Sequence, residues 1–167
     1  QTYTQGSVHA VHMEPSENSI ADQKISVAIA AVESQEYSLA LKIFDEVLSS
    51  APARMESISE FYVMALNSQA ANLIELDTEQ AKTMLLKALD LDPENIACLT
   101  QLGFIYVEQK DYPNAIVTFQ KVSAVKPDFA HAYFNLGYLY WVTQDYARAK
   151  DMYQQVIELK PEFVDEA

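Results

Sequence analysis

The side chains able to do chemistry are few and scattered. Three histidines, His9, His12 and His131, and one cysteine, Cys98, make up the nucleophilic and metal-ligating nitrogen and sulfur set. His9 and His12 stand close enough in sequence to share a metal ion, but that spacing is common, and no metal site is expected. His131 opens a helix on the face expected to line a groove, where contact with a partner or with water suits a histidine better than catalysis. Cys98 lies early in a helix with no histidine or cysteine beside it in sequence, and reads as a small core residue rather than a nucleophile. Three glycines in 167 residues cannot build a phosphate-cradling loop. Carboxylates are plentiful, but pairs such as Asp90 and Asp92 fall near a helix end, where an acidic protein places acids without catalytic purpose. The sequence therefore points away from an enzyme and away from any cofactor.

The residues that recur, rather than those that react, carry the information. Pro93, Pro127 and Pro161 are spaced by 34 residues, as are Asp77, Asp111 and Asp145, and Ala81, Ala115 and Ala149. Residues 101–122 and 135–156 align without a gap. Fixed self-similarity at this length is the mark of a repeat architecture. Within one period the apolar residues fall on two helical stripes. Leu99, Leu102, Tyr106 and Val107 mark the first, and Ala115, Ile116, Phe119 and Val122 the second. Asp111 is placed to cap the second helix, and Pro127 follows the point where that helix must stop. Gly103 and Ala115 allow the two helices to approach closely, with Tyr106 and Phe119 filling the space beside them. The next period repeats this with Gly137, Ala149, Tyr140 and Tyr153.

These residues resemble the tetratricopeptide repeat family, whose pattern runs through Leu-Gly, Tyr, Ala, an aromatic, a small residue and Pro. Residues 96–129 supply Leu102, Gly103, Tyr106, Ala115, Phe119 and Pro127. Residues 130–163 supply Tyr133, Leu136, Gly137, Tyr140, Ala149, Tyr153 and Pro161. Residues 62–95 match in their second helix through Ala81, Ala88 and Pro93, while Ser68 and Gln69 stand where Leu-Gly is expected. Residues 21–54 match through Tyr37, Ala40, Phe44, Val47 and Pro52. The resemblance implies an all-α, right-handed α-solenoid of four helix-turn-helix pairs. It predicts repeats at about 21–54, 55–95, 96–129 and 130–163, with helices near 21–34, 37–50, 55–76, 78–91, 96–109, 112–124, 130–143 and 146–159. Pro52 and Pro93 are 41 residues apart, seven more than the period. The stretch 55–76 has no Gly or Pro, so the insert reads as an extension of that first helix by about two turns; a longer loop after Pro52 is the alternative.

Composition bounds the partners. Asp and Glu number 24 against 11 Lys and Arg, a net charge of −13. Such a surface serves solubility, repels nucleic-acid phosphates and anionic headgroups, and attracts basic segments. No run of about 20 apolar residues is present, so no membrane insertion is expected. With one cysteine the chain carries no disulfide signature, and cytoplasm and periplasm both stay open, the cytoplasm favoured.

In the family the first helices of successive pairs line a concave surface that takes ligands. Carried onto this chain, that surface consists of Leu66, Ala70, Leu73, Thr100, Phe104, Val107, His131, Phe134, Asn135, Tyr138 and Trp141. A face meeting only water should be polar, yet Phe104, Phe134, Tyr138 and Trp141 cluster there, as at an interaction site. The carboxylate clamp by which some members hold heat-shock chaperone tails needs Lys, Arg and Asn. The matching positions hold Leu66, Ala70, Gln101, His131 and Asn135, or Ile25, Ile29, Asn67, Ala97 and Gln101, and offer no cation. The expected function is a protein-interaction adaptor binding an apolar or amphipathic polypeptide segment. The alternative is a scaffold that self-associates through its groove or its C-terminal end, where no polar capping helix follows Phe163. Residues 1–19 lack the period and form an N-terminal extension. The part before His12-Met13 reads as a tag or fusion stretch, or as a native arm whose Tyr3, Val8 and Val11 could occupy the groove.

Overall fold

The computed structural model describes residues 17–160. The readings of residues 1–16 and of the chain end after Lys160, including the tag, the arm in the groove and His9 and His12, lie outside the described residues. Among the described residues there are eight α-helices and no strand. They are α1 (Glu17–Glu33), α2 (Tyr37–Ser50), α3 (Met55–Leu73), α4 (Thr78–Leu91), α5 (Ile96–Glu108), α6 (Tyr112–Val125), α7 (Ala130–Val142) and α8 (Tyr146–Leu159), with one 3₁₀ turn at Pro52–Arg54. Each helix packs most heavily on its partner in the pair, and the second helix of each pair packs next on the first helix of the following one. The first helices also touch one another, α1 on α3 and α3 on α5, whereas second helices make no comparable contact. The first helices are thus the inner layer of a solenoid and the second helices its outer layer. This is the four-pair, all-α array that the repeat pattern implies.

Local sequence explains the boundaries. Asp77, Asp111 and Asp145 cap α4, α6 and α8, each side chain accepting a backbone N–H three residues on, from Gln80, Asn114 and Arg148. Asn95 does the same for α5, accepting from the Cys98 N–H at 3.1 Å. Such a bond satisfies a donor that the helix itself leaves orphaned. First helices end in a turn that places Gln35, Lys110 and Gln144 at positive φ. The N–H after each reaches back across the turn, Glu36 to the Ala31 carbonyl, Asp111 to Tyr106 and Asp145 to Tyr140, all at 2.8 Å. That closure satisfies the last carbonyls, at the cost of a left-handed residue that is not glycine.

The seven extra residues between Pro52 and Pro93 are accommodated almost wholly as helix. α3 has 19 residues where α5 and α7 have 13. The seventh residue goes into the turn between α3 and α4, which lacks the left-handed residue of the other three. The added turns are held by Ile58, which is fully buried, with Met55 and Phe61 half-buried against the same core. Tyr62 follows; its ring packs edge-on against Phe44 at 5.7 Å, and its hydroxyl donates to Asp45, which also pairs with Lys87 at 3.2 Å. One buried ring therefore ties α2, α3 and α4 together.

Two buried clusters run through the array, one from α1 to α5 and one from α5 to α8, and Leu89 and Tyr106 border both. Their tightest points are the glycines. A Cβ built on Gly103 would stand 2.8 Å from the Phe119 ring, and one on Gly137 would stand 2.8 Å from the Tyr153 ring. In the first pair Ala28 takes the glycine position, fully buried in the same core as Phe44. In the second, Gln69 and Leu85 replace glycine and aromatic, so no ring lies on a bare backbone there.

Two stability changes follow from these contacts. Gly137→Leu must push a side chain into Tyr153, and should destabilise the protein by about 1–3 kcal/mol or more in a denaturant titration. An unchanged midpoint would show that the ring does not fix the α7–α8 distance. Lys110→Gly should act oppositely. Relief of the left-handed conformation gains about 1–2 kcal/mol, and the freer unfolded chain takes back roughly half, so a net rise of about 0.5–1 kcal/mol is expected.

Candidate functional site

The candidate site is the inner face made by α3, α5 and α7. None of these three helices contains a lysine or arginine. Their apolar residues must serve three surfaces at once: the partner helix, the neighbouring pair and the inner face. This is why α5 and α7 read as apolar nearly all round.

Exposure along the face is graded. At the first of the groove positions Leu66 is buried at 3%, Thr100 is half-buried and Phe134 is exposed at 54%. At the second, Ala70 is buried at 0%, while Phe104 and Tyr138 are exposed at 45% and 41%. At the third, Leu73 and Val107 are half-buried and Trp141 is exposed at 58%. Leu66 and Ala70, expected in the groove, are core residues. α3 is pressed between α1 and α5, and the small Ala70 lets the inner helices come close enough to seal both side chains. α5 and α7 make no such contact, and the aromatic positions open there. His131 is exposed and Asn135 half-buried, its amide donating to the His131 carbonyl at 2.7 Å.

The exposed rings are not free-standing. Phe104 meets Phe119 edge-on at 5.5 Å, and Phe134 meets Tyr153 edge-on at 5.9 Å. Each outward ring therefore rests on the ring that covers a glycine. Its position is fixed by the core, so little conformational entropy remains for a ligand to remove. Tyr153's hydroxyl is pushed above the ordinary tyrosine range, first by burial and then by the neighbouring Tyr138, and stays neutral at physiological pH. Between α3 and α5 the face is polar instead: the Gln101 side-chain amide donates to Asn67 Oδ1 at 2.8 Å, and the Cys98 thiol reaches the same oxygen at 3.4 Å. Thr100 Oγ1 and Gln101 Oε1 are buried without a partner among the described residues.

Residues 103–144 match the family described as TPR repeat, and residues 130–163 match the tetratricopeptide repeat. Residues 103–163 thus carry tetratricopeptide repeats. Repeats of this kind are protein-interaction modules and typically not enzymes. The array is similar to a crystal structure of MamA, with a TM-score of 0.62 at 15% identity over 89% of this chain and 83% of that one. MamA 41-end from Desulfovibrio magneticus RS-1 gives 0.58 at 21% identity, over 85% and 76%. The first tetratricopeptide domain of Spaghetti (RPAP3), bound to the HSP90 peptide SRMEEVD, gives 0.56 at 23% identity, over 60% and 80%. At these identities the likeness is one of fold. No curated protein matches the sequence.

Among the described residues no group of three or more His, Cys, Asp and Glu side chains is placed to hold a metal, and no helix is long and apolar enough to cross a membrane. Cys98 is fully buried, and its thiol is pushed up to about 11, first by burial and then by Asp92. At pH 8 the folded thiol should thus alkylate with iodoacetamide about a hundredfold more slowly than the thiol of the unfolded chain. The sign follows from the raised value: folding favours the neutral thiol, and this contribution to stability is lost as pH rises toward 11. Equal rates in buffer and in guanidinium would place Cys98 on an accessible surface.

Proposed function

We propose that this array is an interaction scaffold whose inner face, between α5 and α7, binds an apolar or amphipathic segment of another polypeptide. The observation that carries the reading is the group of four exposed aromatics, Phe104, Phe134, Tyr138 and Trp141, on two successive inner helices. Contiguous exposed apolar surface of this kind marks interaction sites, and aromatic anchors dominate their energetics. By repeat position the same face also takes in Leu73, Thr100, Val107, His131 and Asn135.

The mode differs from that of the Spaghetti (RPAP3) domain, whose bound peptide SRMEEVD ends in acids. A face without lysine or arginine, in a chain of net charge −13, offers nothing to an acidic tail. Burial of apolar surface, not charge pairing, supports affinity here. A second reading, self-association through the end of the array, is favoured by α8, where Tyr146 and Ile157 are exposed. Light scattering on a concentration series distinguishes the two, because a monomer throughout leaves the binding reading alone.

Trp141→Ala or Phe134→Ala should weaken binding of a captured partner by about 2 kcal/mol or more, with little dependence on salt. Calorimetry on the full chain measures both. Unchanged affinity in both variants, with losses confined to charge reversals, would move the site elsewhere.

A further inference from the structure

A second concavity lies outside the aromatic surface, and the irregular repeat builds it. The extra turns of α3 rise beside the corner joining α4 to α5, and the two flank an open cleft of about 550 Å³. Val63, Met64 and Leu91 give it apolar walls, and Glu60, Asn67, Asp92 and Asn95 give it polar ones. Glu60 belongs to the seven-residue extension. The position 34 residues after Glu60, Glu94, falls in the loop between α4 and α5, so the following pair has no such wall.

The charge of the cleft is also particular to this pair. Asp92 is the C-cap of α4, whereas Lys126 and Lys160 hold that place after α6 and α8. A lysine there complements the negative end of the helix, and a carboxylate opposes it. Asp92 is partly relieved by the Asn95 amide, which donates to it at 2.9 Å. That bond supplies no positive charge, and none of the described ion pairs involves Glu60 or Asp92. α3 and α5 bring no basic residue either. Two carboxylates over apolar walls, in a cleft large enough for a side chain, call for a ligand with a cationic head and an aliphatic stem.

We propose that this cleft receives a basic side chain, an arginine, from a partner polypeptide. The stem lies along Val63, Met64 and Leu91, and the guanidinium meets Glu60 and Asp92. Arginine suits the site better than lysine, because its planar fork of donors can serve two carboxylates together and is more weakly hydrated. The negative field of the whole chain draws such a segment in. The cleft opens at the α3–α5 end of the inner face and shares no lining residue with the four aromatics on α5 and α7, so the proposal does not rest on the reading of those aromatics.

The test uses the isotope-labelled full chain, titrated with N-acetyl-arginine amide and followed by NMR. Saturable shifts are expected at the Asn67 and Asn95 side-chain amides and at Ala97, which also lines the cleft. N-acetyl-citrulline amide, of the same shape without the charge, should give none. The Glu60→Gln/Asp92→Asn variant should weaken the arginine probe at least tenfold while melting as the parent does. Glu60→Gln alone, at an exposed position, keeps the test open should the double variant misfold. Equal response to citrulline would overturn the proposal, as would shifts that never saturate and spread over the acidic surface. Trp141→Ala should leave the cleft shifts in place. Their loss in that variant would overturn the separation of the two sites.

Discussion

The contact of an aromatic ring with a bare backbone sets the dimensions of the C-terminal pairs. Phe119 lies over Gly103 and Tyr153 over Gly137, closer than a methyl group would allow. An interior packed near crystal density transmits such a distance to everything around it. It fixes how near the two helices of a pair lie, and so how the next pair seats against them. It also sets the aromatic face, since Phe104 and Phe134 are propped on those same two rings. Core and candidate site are one stack: glycine, buried ring, exposed ring.

The second pair breaks this rule and compensates. Gln69 and Leu85 replace the glycine and its aromatic. Its first helix is longer, and the buried Ile58 and Tyr62 anchor it through contacts the other pairs lack. Solenoid stability is a sum of repeat and nearest-neighbour terms, so one altered pair can be tolerated where its interfaces are strengthened. The lengthened helix also gives the molecule a feature that simple repetition cannot: a cleft with its own charge and shape. The irregular pair and the aromatic pairs thus offer two surfaces of different chemistry. One is acidic and concave, the other apolar and exposed.

The repeat spacing, the caps and the close-packed glycines were all legible in the sequence, because each is a local requirement. A 34-residue period appears as recurring Pro, Asp and Ala. An N-cap needs a short polar side chain three residues before a free N–H; Asp111 reads as one, and Asp77 and Asp145, at the same place in their periods, cap their helices likewise. A stretch without Gly or Pro can stay helical, and residues 55–73 do so. These facts concern single helices and their ends, and depend little on what lies across the core. The helix ends that did shift were of the same local kind: α1 starts at Glu17 and α3 stops at Leu73, where the turn before Asp77 takes a different form.

Only the tertiary structure decided which apolar residues face outward. Leu66, Thr100 and Phe134 share one repeat position, yet range from buried to exposed. Helical phase assigns them all to the inner face, because phase is a property of one helix. Exposure depends on the distance to the next inner helix, which is short from α1 to α5 and longer between α5 and α7. On helices that are apolar nearly all round, the pattern of residues carries no further information about direction. The left-handed turns at Gln35, Lys110 and Gln144 escaped for a related reason: their residue types favour no such conformation, and the packing of the pair imposes it. The acidic cleft needed both levels, since the sequence supplied seven extra residues and the fold brought Glu60 and Asp92 to line one cleft.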